Sequence, residues 1–260
     1  MTEQPELGPI QTDNLGQVRI ITLTKPPRNL IDQTLVRTLL GALTDADRDR
    51  DVTGILLTGS GESFCCGLDV ADIKTAADAV EAGAHLVELL RVLPLLQTPI
   101  AAAVNGDAIA GGASIICACD YAVAVPQCRI GTHESSTGFW PMVAQTPLIH
   151  RLGPRFAMEN VGSGEPFTAT RALQVGLVNA VVEEHDLLAT TTQWLNLASR
   201  GWPGRSSFYR LAEMSYGDAL DASLSELENM LDQVPDIADR LDPRHQHVND
   251  SRTPLGGKDV

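Results

Sequence analysis

Short apolar strand signals alternate with helical periodicity over roughly the first 180 residues of this chain. Strands are predicted at residues 18–24, 54–58, 100–104, 120–125 and 177–182. Amphipathic helices are predicted between them, most clearly where Ile31, Leu35, Leu39 and Leu43 recur every four residues. Further helices are expected after Pro141 and Pro154. Strands separated by helices predict a layered α/β fold.

The chain from about Asp186 to Pro235 carries helical patterns, with helices expected at residues 202–214 and 219–234. We therefore predict a core domain over residues 1–195 and a helical C-terminal subdomain over residues 196–242. The polar residues 243–260 are expected to form a poorly ordered tail.

Charge and cysteine content exclude several classes of function. The net charge is −14, from 33 acidic and 19 basic residues, which argues against nucleic acid or an anionic membrane as a partner. The five cysteines include no CxxC spacing, so we expect no metal site and no disulfide framework. The polar N-terminus resembles neither a secretory signal nor a transit peptide, and a cytoplasmic location is expected.

Three glycines, at positions 106, 111 and 112, precede the apolar helix that begins in NGDAIAGGASIICACD. Glycine there indicates either a tight turn with close backbone packing or backbone N–H groups left bare for a ligand oxygen. Ser114 follows in a segment that resembles a nucleophile elbow but lacks the closing glycine. A small residue lining the helix entrance is the favoured interpretation of Ser114.

Glu134 lies in IGTHESSTGFWPM, after the apolar residues 128–131 and shortly before Phe139 and Trp140. A lone glutamate in a polar stretch is normally a surface residue. A carboxylate beside apolar side chains is nevertheless a useful proton carrier. The two aromatic residues are equally compatible with an acyl pocket and with the core.

Four ordered segments resemble the crotonase (enoyl-CoA hydratase/isomerase) superfamily over about residues 18–182. They read LTGSGESFCCGLDVADI (57–73), IAAAVNGDAIAGGASIICACDYAVA (100–124), IGTHESSTGFWPM (130–142) and GEPFTATRALQVGLVNAVV (164–182). The resemblance implies an α/β spiral of repeated ββα units with a C-terminal helical oligomerisation subdomain. It also implies a homotrimer or a dimer of trimers.

The same resemblance implies a catalytic site. The backbone N–H groups of Leu68 and Gly111 would form an oxyanion hole for a thioester carbonyl, and Glu134 would move protons beside the enolate. On this interpretation the three glycines at 106, 111 and 112 keep backbone donors accessible. Ser114 falls where two-glutamate hydratases carry their first glutamate. The substrate would be an acyl-CoA thioester, with no cofactor beyond the coenzyme A of the substrate. The residues implied in substrate binding are Arg28, Asn29, Cys65, Cys66, Leu68, Asp69, Gly111, His133 and Trp140.

A single carboxylate slightly favours double-bond isomerisation over hydration, because hydration is usually assigned to a carboxylate pair. Two alternatives stay open from sequence. One is an acyl-CoA or β-dicarbonyl hydrolase that uses Ser114 or a water activated by Glu134. The other is a protein that binds acyl-CoA without turning it over. Fatty acid metabolism is the expected setting of the enzymatic interpretations.

Overall fold

A computed structural model describes residues 8–71, 73 and 75–212 of the chain. The strands are Ile10–Leu15 (β1), Val18–Leu23 (β2), Gly54–Gly59 (β3), Ser63–Cys65 (β4), Ile100–Val104 (β5), Asp107–Ile109 (β6), Tyr121–Ala124 (β7), Arg129–Gly131 (β8), Phe167–Thr168 (β9) and Ala180–Val181 (β10). The α-helices are Gln33–Arg48 (α1), Ala76–Val92 (α2), Gly111–Ala118 (α3), Gln145–Ser163 (α4), Ala169–Gln174 (α5), Glu184–Ala198 (α6) and Arg205–Ala212 (α7). Short 3-10 turns occupy Leu93–Leu95, Glu134–Thr137 and Ser199–Gly204.

The strands form two sheets, and each strand–strand–helix repeat contributes one strand to each sheet. The larger sheet has six strands in the order β1-β2-β3-β5-β7-β10, and the smaller has four in the order β4-β6-β8-β9. The pairings are parallel except β1 with β2 and β8 with β9. Three times in succession a strand of the larger sheet leads into a strand of the smaller one and then into a helix. This order confirms the predicted α/β class, and the structure adds that both sheets are mainly parallel.

The centre of the larger sheet is built from small side chains. All five residues of β5 are fully buried, and it pairs on both sides with parallel strands. Parallel strands covered on both faces are apolar throughout. Helix α6 packs on this sheet, and its buried Leu195 lies so close to Gly54 that a Cβ added there would be 3.0 Å from the leucine Cβ. Trp194 stacks on Tyr121 with ring centroids 4.6 Å apart.

A buried arginine joins distant parts of the chain near the end of the larger sheet. Arg205 donates to both carboxylate oxygens of Asp120, at 2.7 and 2.9 Å. It also donates to the carbonyl oxygens of Leu93, at 3.0 Å, and Pro94, at 3.1 Å, and to that of Leu96. The guanidinium therefore binds the carbonyl oxygens of the turn that follows α2 and links this turn to Asp120, the residue before β7.

Several predicted boundaries shift in the structure. The last predicted strand shrinks to Ala180–Val181, and the two helices expected after Pro141 and Pro154 form α4, which is broken at Gly153 (φ 73°, ψ 161°). The chain divides into two compact units between Ser206 and Ser207. The predicted helix at 219–234 and the tail lie outside the described residues. Within the described ranges, no helix is both long and apolar enough to span a membrane.

Candidate active site

The turn after β4 presents the N–H group of Leu68. Ile31 forms an isolated parallel bridge with Leu68: the Ile31 N–H donates to the Gly67 carbonyl at 2.8 Å, and the Asp69 N–H donates to the Ile31 carbonyl at 2.8 Å. In a parallel pairing of this register, the bridged residue's own N–H points away from the partner strand. No acceptor within the described part of the chain takes the Leu68 N–H.

A second bare donor lies at the start of α3. Gly111 is the first residue of that helix, where backbone N–H groups have no intrahelical partner. The preceding residue, Ala110, has φ 53° and ψ −114°, a conformation that is strained for any residue with a Cβ. Its own N–H donates to the Gly131 carbonyl at 2.8 Å, and this hydrogen bond helps to hold Ala110 in its strained conformation at the helix entrance.

The two donors lie where the segment around Gly67 crosses the entrance of α3. A Cβ added to Gly67 would be 3.5 Å from the Gly111 nitrogen and 2.9 Å from the Ala110 Cβ. A Cβ added to Gly111 would meet Ile31 Cδ1 at 2.9 Å and Leu86 Cδ2 at 3.3 Å. Fixed backbone donors beside apolar side chains are suited to binding an oxygen that gains negative charge.

Glycine is required at the other two positions of the helix entrance, Gly106 and Gly112, for a different reason. A Cβ added to Gly112 would lie 1.9 Å from the Cys65 carbonyl oxygen, and one added to Gly106 would lie 2.0 Å from that of Glu62. Both positions need glycine because two backbones touch there. The interpretation that all three glycines keep donors accessible is therefore wrong for Gly106 and Gly112.

Glu134 begins the 3-10 turn Glu134–Thr137, three residues beyond β8. Its side chain is partly buried, and its Oε2 atom accepts the backbone N–H of His133 at 2.9 Å. Within the described residues, no donor occupies the other carboxylate oxygen, Oε1. Because β8 pairs with β6 through Ile109 and Gly131, this turn follows directly from the strand that flanks the entrance of α3.

Ser114 is fully buried inside α3. Its hydroxyl lies 3.2 Å from the Ala110 carbonyl oxygen and 3.3 Å from the Ala144 carbonyl oxygen, both of which are acceptors for its single proton. No histidine or carboxylate among the described residues is hydrogen-bonded to it. These contacts are those of a small residue that packs at a helix junction.

Of the two adjacent residues predicted to bind substrate before α1, Asn29 is buried and Arg28 is exposed. Asn29 is fully buried with φ 47°, and its Oδ1 accepts the Lys25 N–H at 2.9 Å. Its Nδ2 donates to the carbonyl oxygens of Ser60, Ser63 and Phe64. The Asn29 side chain therefore holds two loops together and leaves no polar atom for a substrate. Arg28 is exposed, and its carbonyl accepts the Cys66 N–H at 2.9 Å.

The two adjacent cysteines differ in environment. Cys65 is fully buried, and burial raises the pKa of its thiol to about 12. Cys66 is half-buried, with its Sγ 4.0 Å from the Asp107 carbonyl oxygen. Of the pair, only Cys66 has a partly exposed side chain.

A small charged cluster lies beside the same turn. The Lys25 ammonium contacts the Asp32 carboxylate and lies 3.9 Å from that of Asp69. Burial opposes ionisation of Asp32, but hydrogen bonds from Lys25 and from the Leu35 N–H outweigh it and hold the pKa of that carboxyl below its usual value. Asp69, predicted to contact substrate, is thus paired with a cation.

The remaining predicted binding residues follow β8. The Nδ1 atom of His133 is buried and has no hydrogen-bond partner within the described residues. Trp140 is 46% exposed and Phe139 is 75% exposed, so neither belongs to the core of this chain. The indole of Trp140 donates to Gln145 at 2.8 Å.

The structure thus gathers the Leu68 turn and the Gly111 entrance, with the Glu134 turn following from the adjacent strand. The polar side-chain atoms of Asn29 and Ser114 are hydrogen-bonded to backbone groups. No group of three or more His, Cys, Asp or Glu side chains in the described ranges is placed to hold a metal ion.

Comparison with known proteins agrees with this architecture. The family model described as enoyl-CoA hydratase/isomerase matches residues 14–223. A short-chain-enoyl-CoA hydratase of Clostridium acetobutylicum is 31% identical over 196 residues, covering 74% of this chain and 75% of the relative. A crotonyl-CoA hydratase of Syntrophomonas wolfei is 30% identical over 177 residues, covering 66% of this chain and 68% of the relative.

The fold comparison gives the same result. The crystal structure of an enoyl-CoA hydratase from Bacillus anthracis superposes with a TM-score of 0.84, covering 92% of this chain and 96% of that one at 22% identity. The chain belongs to the enoyl-CoA hydratase/isomerase family of the crotonase superfamily. It is accordingly an enzyme of the hydratase/isomerase type.

Proposed function

We propose that the protein binds an acyl-CoA thioester and stabilises its enolate between the N–H groups of Leu68 and Gly111. The observation that carries this proposal is a pair of backbone donors that lie at one crossing of the chain and have no acceptor among the described residues. An enolate oxygen bears more negative charge than a thioester carbonyl. Fixed donors and a helix N-terminus therefore favour the transition state over the ground state.

Glu134 is the proton carrier in this scheme. Its Oε2 is held by the His133 N–H, which leaves Oε1 to exchange protons with substrate. In isomerisation of a 3-enoyl-CoA, this oxygen takes a proton from C2 while the electron pair moves through the thioester to its oxygen. The same proton then returns to C4, and the double bond shifts to C2–C3.

Isomerisation is favoured over hydration because the position of a second glutamate carries Ser114. A buried hydroxyl that faces two carbonyl oxygens does not replace a carboxylate that activates water. The same contacts disfavour a hydrolase with Ser114 as nucleophile, because no base is bonded to that hydroxyl among the described residues.

A homotrimer or a dimer of trimers is part of the proposal. Large apolar side chains on α4 are solvent-exposed in the single chain, including Phe156 (44%) and Met158 (55%). Exposed apolar side chains grouped on one element favour a protein–protein contact. Light scattering coupled to gel filtration would give the mass of the assembly, and a monomer would contradict the proposal.

The reaction is tested with 2-enoyl- and 3-enoyl-CoA substrates of several chain lengths in deuterium oxide. The proposal predicts conversion of 3-enoyl- to 2-enoyl-CoA with part of the C2 hydrogen retained at C4, since one carboxylate carries it. Glu134→Gln should lower turnover by about 10²–10⁴-fold. Glu165→Gln is the matched control, because the Glu165 side chain is 80% exposed. Hydration as the main reaction, or unchanged turnover in Glu134→Gln, would contradict the proposal.

A further inference from the structure

Asn160 is a fully buried polar residue in the second half of α4. Its Oδ1 accepts the Thr132 N–H at 2.7 Å, and its Nδ2 donates to the Thr132 carbonyl at 2.8 Å. The same amide also donates to the Glu165 carbonyl at 2.9 Å and accepts from the Thr132 hydroxyl at 3.1 Å. One side chain therefore binds both backbone polar groups of the residue two positions before Glu134.

The approach of Asn160 to this segment depends on Gly131. A Cβ added to Gly131 would lie 2.7 Å from Asn160 Oδ1 and 2.9 Å from its Nδ2, and Gly131 has φ 148°. On its other side, Gly131 accepts the Ala110 N–H at 2.8 Å. The strand end is thus held between the entrance of α3 and the Asn160 amide.

A second hydrogen bond to α4 holds the chain just after Glu134. We call this bond and the bonds from Asn160 to Thr132 the two ties. The Ser135 hydroxyl donates to the Val161 carbonyl at 2.5 Å. Thr132 and Ser135 are therefore fastened to two consecutive residues of α4, Asn160 and Val161. The two residues between the ties are His133 and Glu134.

We propose that Asn160 is a positioning residue for the Glu134 carboxylate, an inference that rests on the proposed function. The ties fix the backbone from which the Glu134 side chain extends, and so fix where Oε1 meets the substrate. A proton carrier displaced by about 1 Å from its productive geometry loses on the order of 10²-fold in rate. Asn160 acts through Glu134 and makes no contact with the reacting atoms in this scheme.

The bonding pattern requires an amide. Leucine at 160 would leave the N–H and carbonyl groups of Thr132 without partners in a buried site, and aspartate would face the carbonyl oxygens of Thr132 and Glu165 with an acceptor. Thr132→Val is a matched control, because it removes only the hydroxyl contact and leaves both backbone bonds in place.

The test measures kcat and KM for 3-enoyl-CoA in Asn160→Asp, Asn160→Leu and Thr132→Val, each with and without Glu134→Gln. We expect kcat to fall by about 10²-fold in the Asn160 variants with KM within about threefold of wild type. Thr132→Val should change kcat little. In the Glu134→Gln background the Asn160 variants should cause no further loss, because the carboxylate they position is gone. Full additivity of the two losses, or unchanged kcat in a folded Asn160 variant, would overturn the proposal.

Hydrogen exchange gives a readout that needs neither turnover nor a variant. In the unmodified protein, the Thr132 amide should exchange as slowly as the Ala110 amide, since both are bonded in the described fold. Fast exchange at Thr132 would overturn the positioning role even if the Asn160 variants fail to fold. Unchanged turnover in Glu134→Gln alone would instead refute the proposed function.

Discussion

The backbone N–H of Ala110 donates to the carbonyl oxygen of Gly131 at 2.8 Å, across the junction of β6 and β8. Ala110 leads into Gly111, the first residue of α3, and Gly131 leads toward Glu134. This one hydrogen bond therefore links the proposed donor site to the segment that bears the proposed proton carrier. Its position explains why Ala110 keeps a strained conformation at a helix entrance.

Substituting Gly112 should destabilise the fold severely. Gly112→Ala would place a Cβ 1.9 Å from the Cys65 carbonyl oxygen, and backbone cannot yield as a flexible side chain can. We expect the free energy of unfolding to fall by about 3 kcal/mol or more. Gly41→Ala is the control, because Gly41 lies exposed inside α1 with no atom within 4 Å of an added Cβ. It should raise stability by about 0.5–1 kcal/mol. Equal effects in urea unfolding would contradict the close backbone contact.

Removing the Ser114 hydroxyl should leave catalysis nearly intact. The hydroxyl faces the carbonyl oxygens of Ala110 and Ala144, and the Ala110 oxygen keeps the Ser114 N–H at 3.1 Å. We expect Ser114→Ala to lose about 1 kcal/mol of stability and to keep its turnover within about threefold. Steady-state kinetics with enoyl-CoA substrates test this. A loss of activity with an acyl adduct on Ser114 of the wild type would support the hydrolase alternative.

The buried Arg205–Asp120 pair should contribute far more to the free energy of unfolding than a surface ion pair does. Its side chains are 7% and 12% exposed, and lysine at 205 could not bind both carboxylate oxygens and the neighbouring carbonyls together. Lysine keeps the positive charge but leaves buried carbonyl oxygens without a donor, so we expect Arg205→Lys to lower the free energy of unfolding by about 2 kcal/mol or more. In the control, Arg171→Lys disturbs the surface pair with Glu159 and should leave the free energy of unfolding nearly unchanged. If chemical denaturation gave similar losses of stability for Arg205→Lys and Arg171→Lys, the prediction would be wrong.

Four of the five cysteines should resist modification in the folded protein. Burial raises the pKa of the thiols of Cys65, Cys117, Cys119 and Cys128 to about 12. A thiol with that pKa is only about 10⁻⁴ ionised at pH 8, and the thiolate is the reactive form. Iodoacetamide at pH 8 should therefore label Cys66 alone, and the others only after unfolding. Peptide mass mapping reads the sites, with Cys66→Ser as the control. Native labelling of Cys117 would contradict the burial.

The elements with strong local periodicity could be predicted from sequence, and the short ones could not. Helix α1 is predicted by apolar residues that recur every four positions, and β3 and β5 are predicted by their apolar runs. Strand β1, with the sequence IQTDNL, is mostly polar and exposed because it pairs at an edge. The strands of the smaller sheet have only two or three residues, too few for a periodic pattern that would predict them.

The candidate site was predictable where motifs determine backbone geometry and not where distant segments meet. Leu68, Gly111 and Glu134 follow from the resemblance of ordered motifs. Asn160 gave no signal, because its partner Thr132 is 28 residues away along the chain. For the same reason nothing in the local sequence indicated that Asn29 is occupied by carbonyl groups more than 30 residues further on.

The central claim is that two backbone N–H groups bind the thioester oxygen, and infrared difference spectroscopy tests it most directly. An acyl-CoA labelled with carbon-13 at the thioester carbonyl is bound to wild type and to Glu134→Gln, with occupancy checked by calorimetry. Hydrogen bonds from Leu68 and Gly111 should lower the carbonyl stretching frequency on binding in both proteins, because the donors belong to the backbone. A bound carbonyl that absorbs at its frequency in water or higher would contradict the account.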